Sequence, residues 1–293
     1  MLHRHSGFLL ALFAATGFAS KAIFAKLAYR YGVDAITLVT IRLGLALPFL
    51  LLMRLLKFRG ERPLSKSEAG WVLLLGFLGY YLSSLLDFWG LESVSASIER
   101  MLLCLYPTLT VLLNAWLNGS KISQLIIRSL LLTYLGVALV LAPGLAHGKA
   151  DLLGIMLIIG STTSYALYLT WSPQIISRIG AMRFTELALL VSAIIMICHF
   201  LAVKPVALLM HQPQEVWFYG LVMTLFSTLL PVYALSAAID RIGSSKTAII
   251  ATLGPILTIL MSMKLLDETL TAGQWAGVVL VMVGVWQVNR RGK

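Results

Sequence analysis

The chain has 293 residues, of which 59% are hydrophobic and 12% charged, and its mean hydropathy is +0.90. Water-soluble domains carry about 25% charged residues, so this composition excludes an ordinary soluble protein and predicts an integral membrane protein. A membrane-spanning helix needs about 20 apolar residues, so the length leaves room for roughly ten spans and for no separate soluble domain. The two cysteines, Cys104 and Cys198, lie in apolar runs, which argues against a disulfide framework and against a cysteine metal site.

Long apolar runs between charged, glycine-containing or proline-containing breaks predict the membrane spans. Spans 1 to 10 are expected at residues 7–27, 35–56, 70–91, 96–117, 124–142, 151–171, 185–203, 216–238, 246–264 and 272–289. Lys21 interrupts the first run and no small-residue cleavage site follows it, so we expect a retained helix and not a signal peptide. The predicted fold class is all-α integral membrane, with ten transmembrane helices.

The basic residues predict how the chain is oriented. Lys and Arg number 23 against 12 Asp and Glu, which gives a net charge of +11. If the N-terminus is cytoplasmic, most of the Lys and Arg residues near span ends fall on the cytoplasmic side, as the positive-inside rule requires. Both termini are therefore predicted to be cytoplasmic, and the net charge requires no nucleic-acid partner.

The second half of the sequence weakly repeats the first at an offset of 148 positions. The offset aligns Ser97 with Ser245, Pro107 with Pro255, Thr110 with Thr258, Leu112 with Leu260, Leu117 with Leu265 and Gly136 with Gly284. We therefore divide the chain into five-span repeats at residues 1–147 and 148–293. Because five is an odd number of crossings, the second repeat must be inverted, as in many secondary transporters. Pro107 and Pro255 are expected to loosen spans 4 and 9 where bending is needed. The alternative is that duplication only builds a stable bundle.

Polar side chains form helical stripes on spans 1, 3, 4, 6, 8 and 9, whereas the other four spans have only scattered polar residues. Because lipid offers no hydrogen bonds, such stripes should face one another or water. The predicted substrate-binding residues are Ser20 and Lys21 in span 1, Tyr80, Ser84 and Asp87 in span 3, Glu99 and Tyr106 in span 4, Tyr165 and Tyr168 in span 6, and Thr228 in span 8. The alternative, that hydroxyls only join packed helices, explains the contrast between the two sets of helices less well.

Charged residues within the spans are concentrated in the first half. Each costs at least about 2.5 kcal/mol on insertion scales and needs a partner, water or a function. We expect Lys21 to pair with Asp87 or Glu99, and we identify these two acids as candidates for proton coupling. Arg42 is expected to brace the bundle, and Arg100 either reaches outward to the interface or serves the cavity.

The equivalent positions of the second half are not charged. They hold Tyr168, Leu235, Thr247 and Ala248 in place of Lys21, Asp87, Glu99 and Arg100. One wall of the cavity would thus bind a charged head group and the other an apolar body, which suits a small zwitterion or carboxylate.

No motif in the sequence supports catalysis, a metal or a cofactor. His199 is alone in span 7, so we interpret it as structural.

Three segments carry a family resemblance. They are TIRLGLALP in span 2, SIERMLLCLYPTLTVLL in span 4, and SSKTAIIATLGPILTILMSMKLLDETLT followed by WAGVVLVMVGV in spans 9 and 10. Together with the two five-span halves, they resemble the drug/metabolite transporter superfamily, in particular EamA-type transporters, over almost the whole chain. Such proteins typically carry an acid before Leu-Thr at the ends of spans 4 and 9. Glu268 keeps this acid, whereas Ser120 replaces it in the first half.

The resemblance implies a substrate cavity formed by helices 1, 3, 4, 6, 8 and 9, and alternating-access transport across a bacterial inner membrane. It implies small metabolites, commonly amino acids or related compounds, often moved outward. The leading hypothesis is therefore a secondary exporter, coupled to protons through the charged cluster. The alternatives are an uncoupled uniporter and, from another class, a membrane-embedded enzyme acting on a lipid-linked substrate.

Overall fold

The computed structural model describes residues 2–57, 62–119, 123–146 and 151–291, and within these ranges it is helical and contains no strand. Its α-helices are α1 Leu2–Tyr29, α2 Ala35–Lys57, α3 Lys66–Gly76, α4 Ser83–Ser93, α5 Ala96–Leu103, α6 Tyr106–Asn118, α7 Gln124–Ala146, α8 Leu152–Ile179, α9 Ala181–Val203, α10 Ala207–Met210, α11 Gln214–Thr224, α12 Leu230–Ile242, α13 Ser244–Ala251, α14 Gly254–Leu265 and α15 Ala272–Arg291. Two π-helical segments, Phe77–Leu82 and Leu225–Leu229, join α3 to α4 and α11 to α12.

Eight helical segments are long and apolar enough to cross a membrane, judged by length and composition within the described ranges. They correspond to predicted spans 1 to 8, although the sixth, Leu152–Ile179, continues beyond the predicted end at residue 171. Two shorter apolar helical segments, Ile249–Leu265 and Ala272–Gln287, lie where spans 9 and 10 are predicted. The chain is thus a multi-pass membrane protein, and the count of ten spans stays a prediction.

The prolines Pro107 and Pro255 do not bend continuous helices. Each is in the first turn of a new helix, α6 or α14, and a short turn separates that helix from α5 or α13. Proline has no N–H and its ring clashes with the preceding turn, so each helix is interrupted just before the proline. The repeat therefore places one break in each half at matching positions.

Equivalent helices of the two halves contact each other and run antiparallel. Ser129 near the start of α7 is 3.1 Å from the Gln287 side chain near the end of α15. The Val140 carbonyl, farther along α7, accepts a hydrogen bond of 3.1 Å from Gln274 near the start of α15. The end of α9 likewise lies beside the start of α2. This arrangement is the one expected for inverted repeats.

Glycines allow α7 and α15 to approach closely. A Cβ atom added at Gly136 would lie 2.6 Å from the Gly277 carbonyl oxygen, and one added at Gly277 would lie 2.6 Å from the Gly136 carbonyl oxygen. Gly284 is equally confined, since its Cβ would be 2.2 Å from the Thr133 hydroxyl oxygen. Small residues at such contacts are typical of helix pairs in membranes.

The two ends of the bundle differ in how tightly they pack around α1. We call the end with the start of α1 and the end of α15 the terminal end, and the opposite end the distal end. In the first half of α1, Leu9 and Phe13 are 63% and 41% exposed. From residue 17 to the end of α1 no residue is exposed, and Ala22 and Ala28 are fully buried. The structure is therefore closed around α1 at the distal end.

Candidate functional site

Lys21, Asp87 and Glu99 form a charged cluster between α1, α4 and α5. The Lys21 ammonium donates a hydrogen bond to the Asp87 carboxylate, and its Nζ lies 3.4 Å from Glu99 Oε1. The Lys21 side chain is 20% exposed, whereas those of Asp87 and Glu99 are 3% and 0% exposed. The structure thus brings together the residues for which the sequence analysis expects pairing, with the cation nearest to solvent.

The charged cluster has more acceptors than donors. Lys21 is the ammonium that contacts both carboxyl groups, and two guanidinium groups act on them from a distance, Arg42 on Asp87 and Arg100 on Glu99. Asp87 Oδ1 and both carboxyl oxygens of Glu99 are buried without a hydrogen-bond donor in the described part of the chain. A buried acceptor that lacks a donor is costly, so the cluster is suited to take up one proton or one further hydrogen-bond donor.

Arg42 braces α2 against α4, as the sequence analysis expects. Its guanidinium donates to the Ser84 hydroxyl at 3.1 Å and lies 4.9 Å from the centre of the Phe88 ring. Arg42 is only 5% exposed. Ser84, predicted to bind substrate, therefore serves as a partner of this arginine.

Arg100 does not extend outward to the interface. Its Nε donates to the Thr258 hydroxyl at 2.9 Å, and its Nη2 donates to the Phe18 carbonyl at 2.8 Å. The Thr258 hydroxyl in turn donates to the Ala19 carbonyl at 3.0 Å. One guanidinium thus joins α5 to both α1 and α14, so that it fixes the position of the helix that carries Glu99.

Four tyrosines predicted to bind substrate form an aromatic cluster. Tyr165 stacks on Tyr168 with ring centres 5.4 Å apart, and Tyr106 meets Tyr165 edge-on at 5.5 Å. The hydroxyl groups of Tyr80 and Tyr168 are 3.2 Å apart. Tyr168 is 5% exposed, and a Cβ at Gly79 would lie 2.4 Å from its ring, so Tyr168 is a packing residue. Tyr106 is 39% exposed, the largest exposed fraction of the four tyrosines.

The charged and aromatic clusters lie at different depths. Tyr80 precedes Asp87 by seven residues, and Tyr106 follows Glu99 by seven residues. Seven residues rise about 10 Å in a continuous α-helix, and a π-helical segment at Tyr80 and the helix break before Tyr106 make both intervals less regular than that. Both pairs place the tyrosine nearer to the terminal end.

Ser20 and Thr228 are buried in helix contacts. Ser20 is 5% exposed, and its hydroxyl is 2.9 Å from that of Ser227 in the second π-helical segment. Thr228 is 8% exposed. In this conformation the Ser20 hydroxyl joins α1 to the segment before α12, and the role of the two residues in substrate binding stays a prediction. The hydroxyls of small side chains satisfy such helix contacts readily.

Polar contacts at the distal end tie α2 to α4 and α9, and the sequence analysis does not anticipate them. Glu92 accepts a hydrogen bond from the Ala35 N–H at 2.5 Å, and Lys204 pairs with Asp34 at 2.5 Å. Partial burial acts against the charged form of Asp34. Lys204 and hydrogen bonds from Thr37 outweigh this effect and hold the pKa of Asp34 below its usual value.

Glu268 is a further distal contact. Its carboxylate binds the start of α5, although the two are far apart in sequence. The acid belongs to the family pattern at the end of span 9, and no feature of the sequence predicts its partner. The equivalent Ser120 lies outside the described residues.

Comparisons with known proteins agree with the two-part organisation. A model of the EamA-like transporter family matches residues 5–142 and again residues 152–290. The uncharacterized transporter YcbK of Bacillus subtilis (strain 168) is 31% identical over 96% of this chain and 92% of its own. An uncharacterized transporter of Archaeoglobus fulgidus is 23% identical over 75% of this chain and 77% of its own. A protein crystal structure superposes with a TM-score of 0.65 at 16% identity, covering 99% of both chains, which shows a similar fold.

Proposed function

Since the chain belongs to the EamA-like transporter family, we propose that it is a secondary transporter that exports small metabolites by alternating access in exchange for protons. The proposed substrates are amino acids or related zwitterionic or carboxylate compounds. The proposed setting is a bacterial inner membrane with both termini in the cytoplasm, so that the distal end faces outward.

The observation that carries this proposal is that Asp87 and Glu99, beside the ammonium of Lys21, keep buried carboxyl oxygens without a hydrogen-bond donor in the described part of the chain. A zwitterion can replace the internal ion pair, because its ammonium group can bind Asp87 while its carboxylate accepts a hydrogen bond from Lys21. A proton on Asp87 or Glu99 competes with that ammonium group. Substrate and proton therefore exclude each other from the cluster, which is the requirement for exchange.

Competition between substrate and proton sets the direction of transport. If the cluster binds substrate from the cytoplasm and a proton from outside, the inward proton gradient drives the substrate outward. The two inverted halves, residues 1–147 and 148–293, would rock about the cluster, and the helix breaks before Pro107 and Pro255 would absorb the movement. The aromatic cluster would contact the organic body of the substrate.

The experiment starts from comparative metabolite profiling of cells with and without the protein. The compound that changes most is then used for counterflow with purified protein in liposomes. Lys21→Ala and Asp87→Ala are expected to reduce the initial rate to background, and Lys204→Ala, which removes a cation outside the cluster, should retain it. If both cluster variants transport as well as the wild type, the cluster is structural and the proposal fails.

Proton coupling is tested in the same liposomes. An imposed pH gradient should accelerate wild-type transport of the substrate in the direction opposite to proton flow. Glu99→Gln should remove part or all of this acceleration. Initial rates that do not respond to the gradient would identify an uncoupled uniporter instead.

A further inference from the structure

Glu268 joins the turn after α14 to the start of α5 at the distal end. Its carboxylate accepts hydrogen bonds from the N–H groups of Ala96 and Ser97 at 2.7 and 3.0 Å, and from the Ser97 hydroxyl at 2.6 Å. The Ser97 hydroxyl oxygen also lies 2.8 Å from that of Ser262 in α14. A carboxylate at a helix start satisfies free N–H groups and interacts favourably with the helix dipole.

The turn that carries Glu268 has an unusual backbone. Asp267 adopts a φ of 58°, in the left-handed region that residues other than glycine rarely occupy. The Glu268 N–H also donates to the Ser262 carbonyl at 3.3 Å. The turn is thus fixed at both sides of the carboxylate, and a strained residue persists only where the surrounding contacts favour it.

The helix held by Glu268 carries one acid of the charged cluster. Glu99 lies in the first turn of α5, three residues after Ala96. A shift of the start of α5 away from Glu268 therefore also moves Glu99 relative to Lys21. The closure of the distal end and the geometry of the charged cluster are coupled through the first turn of α5.

The internal repeat shows that this contact lacks an acidic counterpart in the other half. The offset of 148 positions aligns Glu268 with Ser120 and Ser97 with Ser245. A serine offers one neutral acceptor group where Glu268 offers a charged carboxylate, and charge-assisted hydrogen bonds are roughly twice as strong as neutral ones. At the aligned position of the first half the sequence thus provides no acid for an equivalent charged contact.

We propose that Glu268 is a latch that keeps the distal end closed and a positioning residue that holds Glu99 beside Lys21. Since one half alone carries the acid, the empty transporter rests open toward the terminal end, where an exporter meets its substrate. Opening of the distal end breaks the latch and withdraws Glu99 from Lys21. The link to transport rests on the proposed function, whereas the latch itself is testable without any substrate.

Labelling of an introduced cysteine tests the latch. Ala28 is fully buried at the distal end, so Ala28→Cys is made in full-length protein whose Cys104 and Cys198 are replaced by alanine. A membrane-impermeant maleimide is added to proteoliposomes. Glu268→Gln should raise the labelling rate at least about tenfold, as expected for loss of charge-assisted hydrogen bonds. Glu268→Asp should restore part of the closure.

The matched control is Glu215→Gln, which removes an exposed acid at the distal start of α11 and should leave labelling unchanged. If Glu268→Gln labels no faster than wild type, or if both variants label equally fast, the latch is refuted. Should Glu268→Gln fail to fold, Ser97→Ala removes the hydroxyl contact alone and should raise labelling about threefold. An unchanged rate in that variant also refutes the latch.

The pH profile of exchange in liposomes tests the positioning role. Glu268→Gln should shift the pH of half-maximal exchange, because it alters the surroundings of Glu99, and Glu215→Gln should not. Faster labelling with an unshifted profile would refute the positioning role. Faster labelling in a transporter whose wild-type rate ignores pH supports the latch and refutes proton coupling, so the two proposals fail separately.

Discussion

The first and second halves of the molecule use equivalent helices for different purposes. In the first half, these helices bring Lys21, Asp87 and Glu99 into contact. The equivalent positions of the second half hold a tyrosine, a leucine and a threonine. The glycines at the contact of α7 and α15, by contrast, are confined in both halves. The two halves thus share the helix contact that closes the bundle, whereas the charged site belongs to the first half alone among the described residues.

The largest effect is expected from removing Lys21, a cation whose equivalent position in the second half is uncharged. Lys21→Met leaves two buried acids without their ammonium group and should lower the free energy of unfolding by about 3–5 kcal/mol. Adding Asp87→Leu, the residue of the second half, should restore much of that stability while transport stays at background. Thermal unfolding in detergent and counterflow in liposomes measure the two quantities.

Lys204→Met is the control for Lys21→Met, since its ion pair with Asp34 is partly exposed. It should lower the free energy of unfolding by no more than about 1 kcal/mol. If Lys21→Met lowers the free energy of unfolding no more than this control does, the buried acids do not depend on Lys21 for stability.

The aromatic cluster allows packing and binding to be separated. Tyr168→Ala, at a position that is 5% exposed, should lower the free energy of unfolding by about 3–5 kcal/mol through the cavity it creates. Tyr106→Ala, at a position that is 39% exposed, should cost less stability and mainly raise the KM for the transported compound. Unfolding curves and initial rates over a range of concentrations distinguish the two outcomes. Equal losses of stability would show that Tyr106 is also a packing residue.

Glycine substitutions test whether both halves contribute equally to the contact between α7 and α15. Gly136→Ala and Gly277→Ala should each lower the free energy of unfolding by about 1–3 kcal/mol, because the added Cβ meets a backbone carbonyl that cannot move independently. Gly44→Ala in α2 meets nothing within 4 Å and should raise the free energy of unfolding by up to about 1 kcal/mol. A large effect of one glycine of the pair and none of the other would contradict an equal contribution of the halves.

The smallest effect is expected at the distal ion pair between Asp34 and Lys204. The pKa of Asp34 is lower in the folded state than its usual value, so the pair stabilises the protein above the usual aspartate pKa. This stabilisation is lost as the pH falls through the lowered pKa. Asp34→Asn should therefore lower the free energy of unfolding by up to about 1 kcal/mol at neutral pH and should leave it unchanged in strong acid. Unfolding temperatures measured across acidic pH would show whether the difference disappears in that direction.

The sequence predicts most of the helical fold and part of the candidate functional site. Apolar runs predict the long helices, because lipid tolerates few other sequences. Pro107 and Pro255 predict a disturbance of helical hydrogen bonding, and the structure places a break before each. The shared depth of Lys21, Asp87 and Glu99 predicts pairing, since charges at one level in a membrane must compensate one another.

Contacts to the backbone and between distant segments are beyond sequence reasoning. Arg100 binds the Phe18 carbonyl, and a carbonyl acceptor leaves no mark in the sequence because every residue has one. The burial of Tyr168 depends on Gly79 in another helix. Glu268 reaches the start of α5 only because two halves of opposite orientation meet there, and no spacing rule expresses that geometry.

The glycine contact between α7 and α15 has a consequence for biogenesis. During synthesis α7 enters the membrane long before α15 is made, so the narrow groove around Gly136 stays uncovered until α15 is inserted. The first half therefore cannot complete its own packing, and a chain shortened before α15 would leave this groove of α7 exposed to lipid.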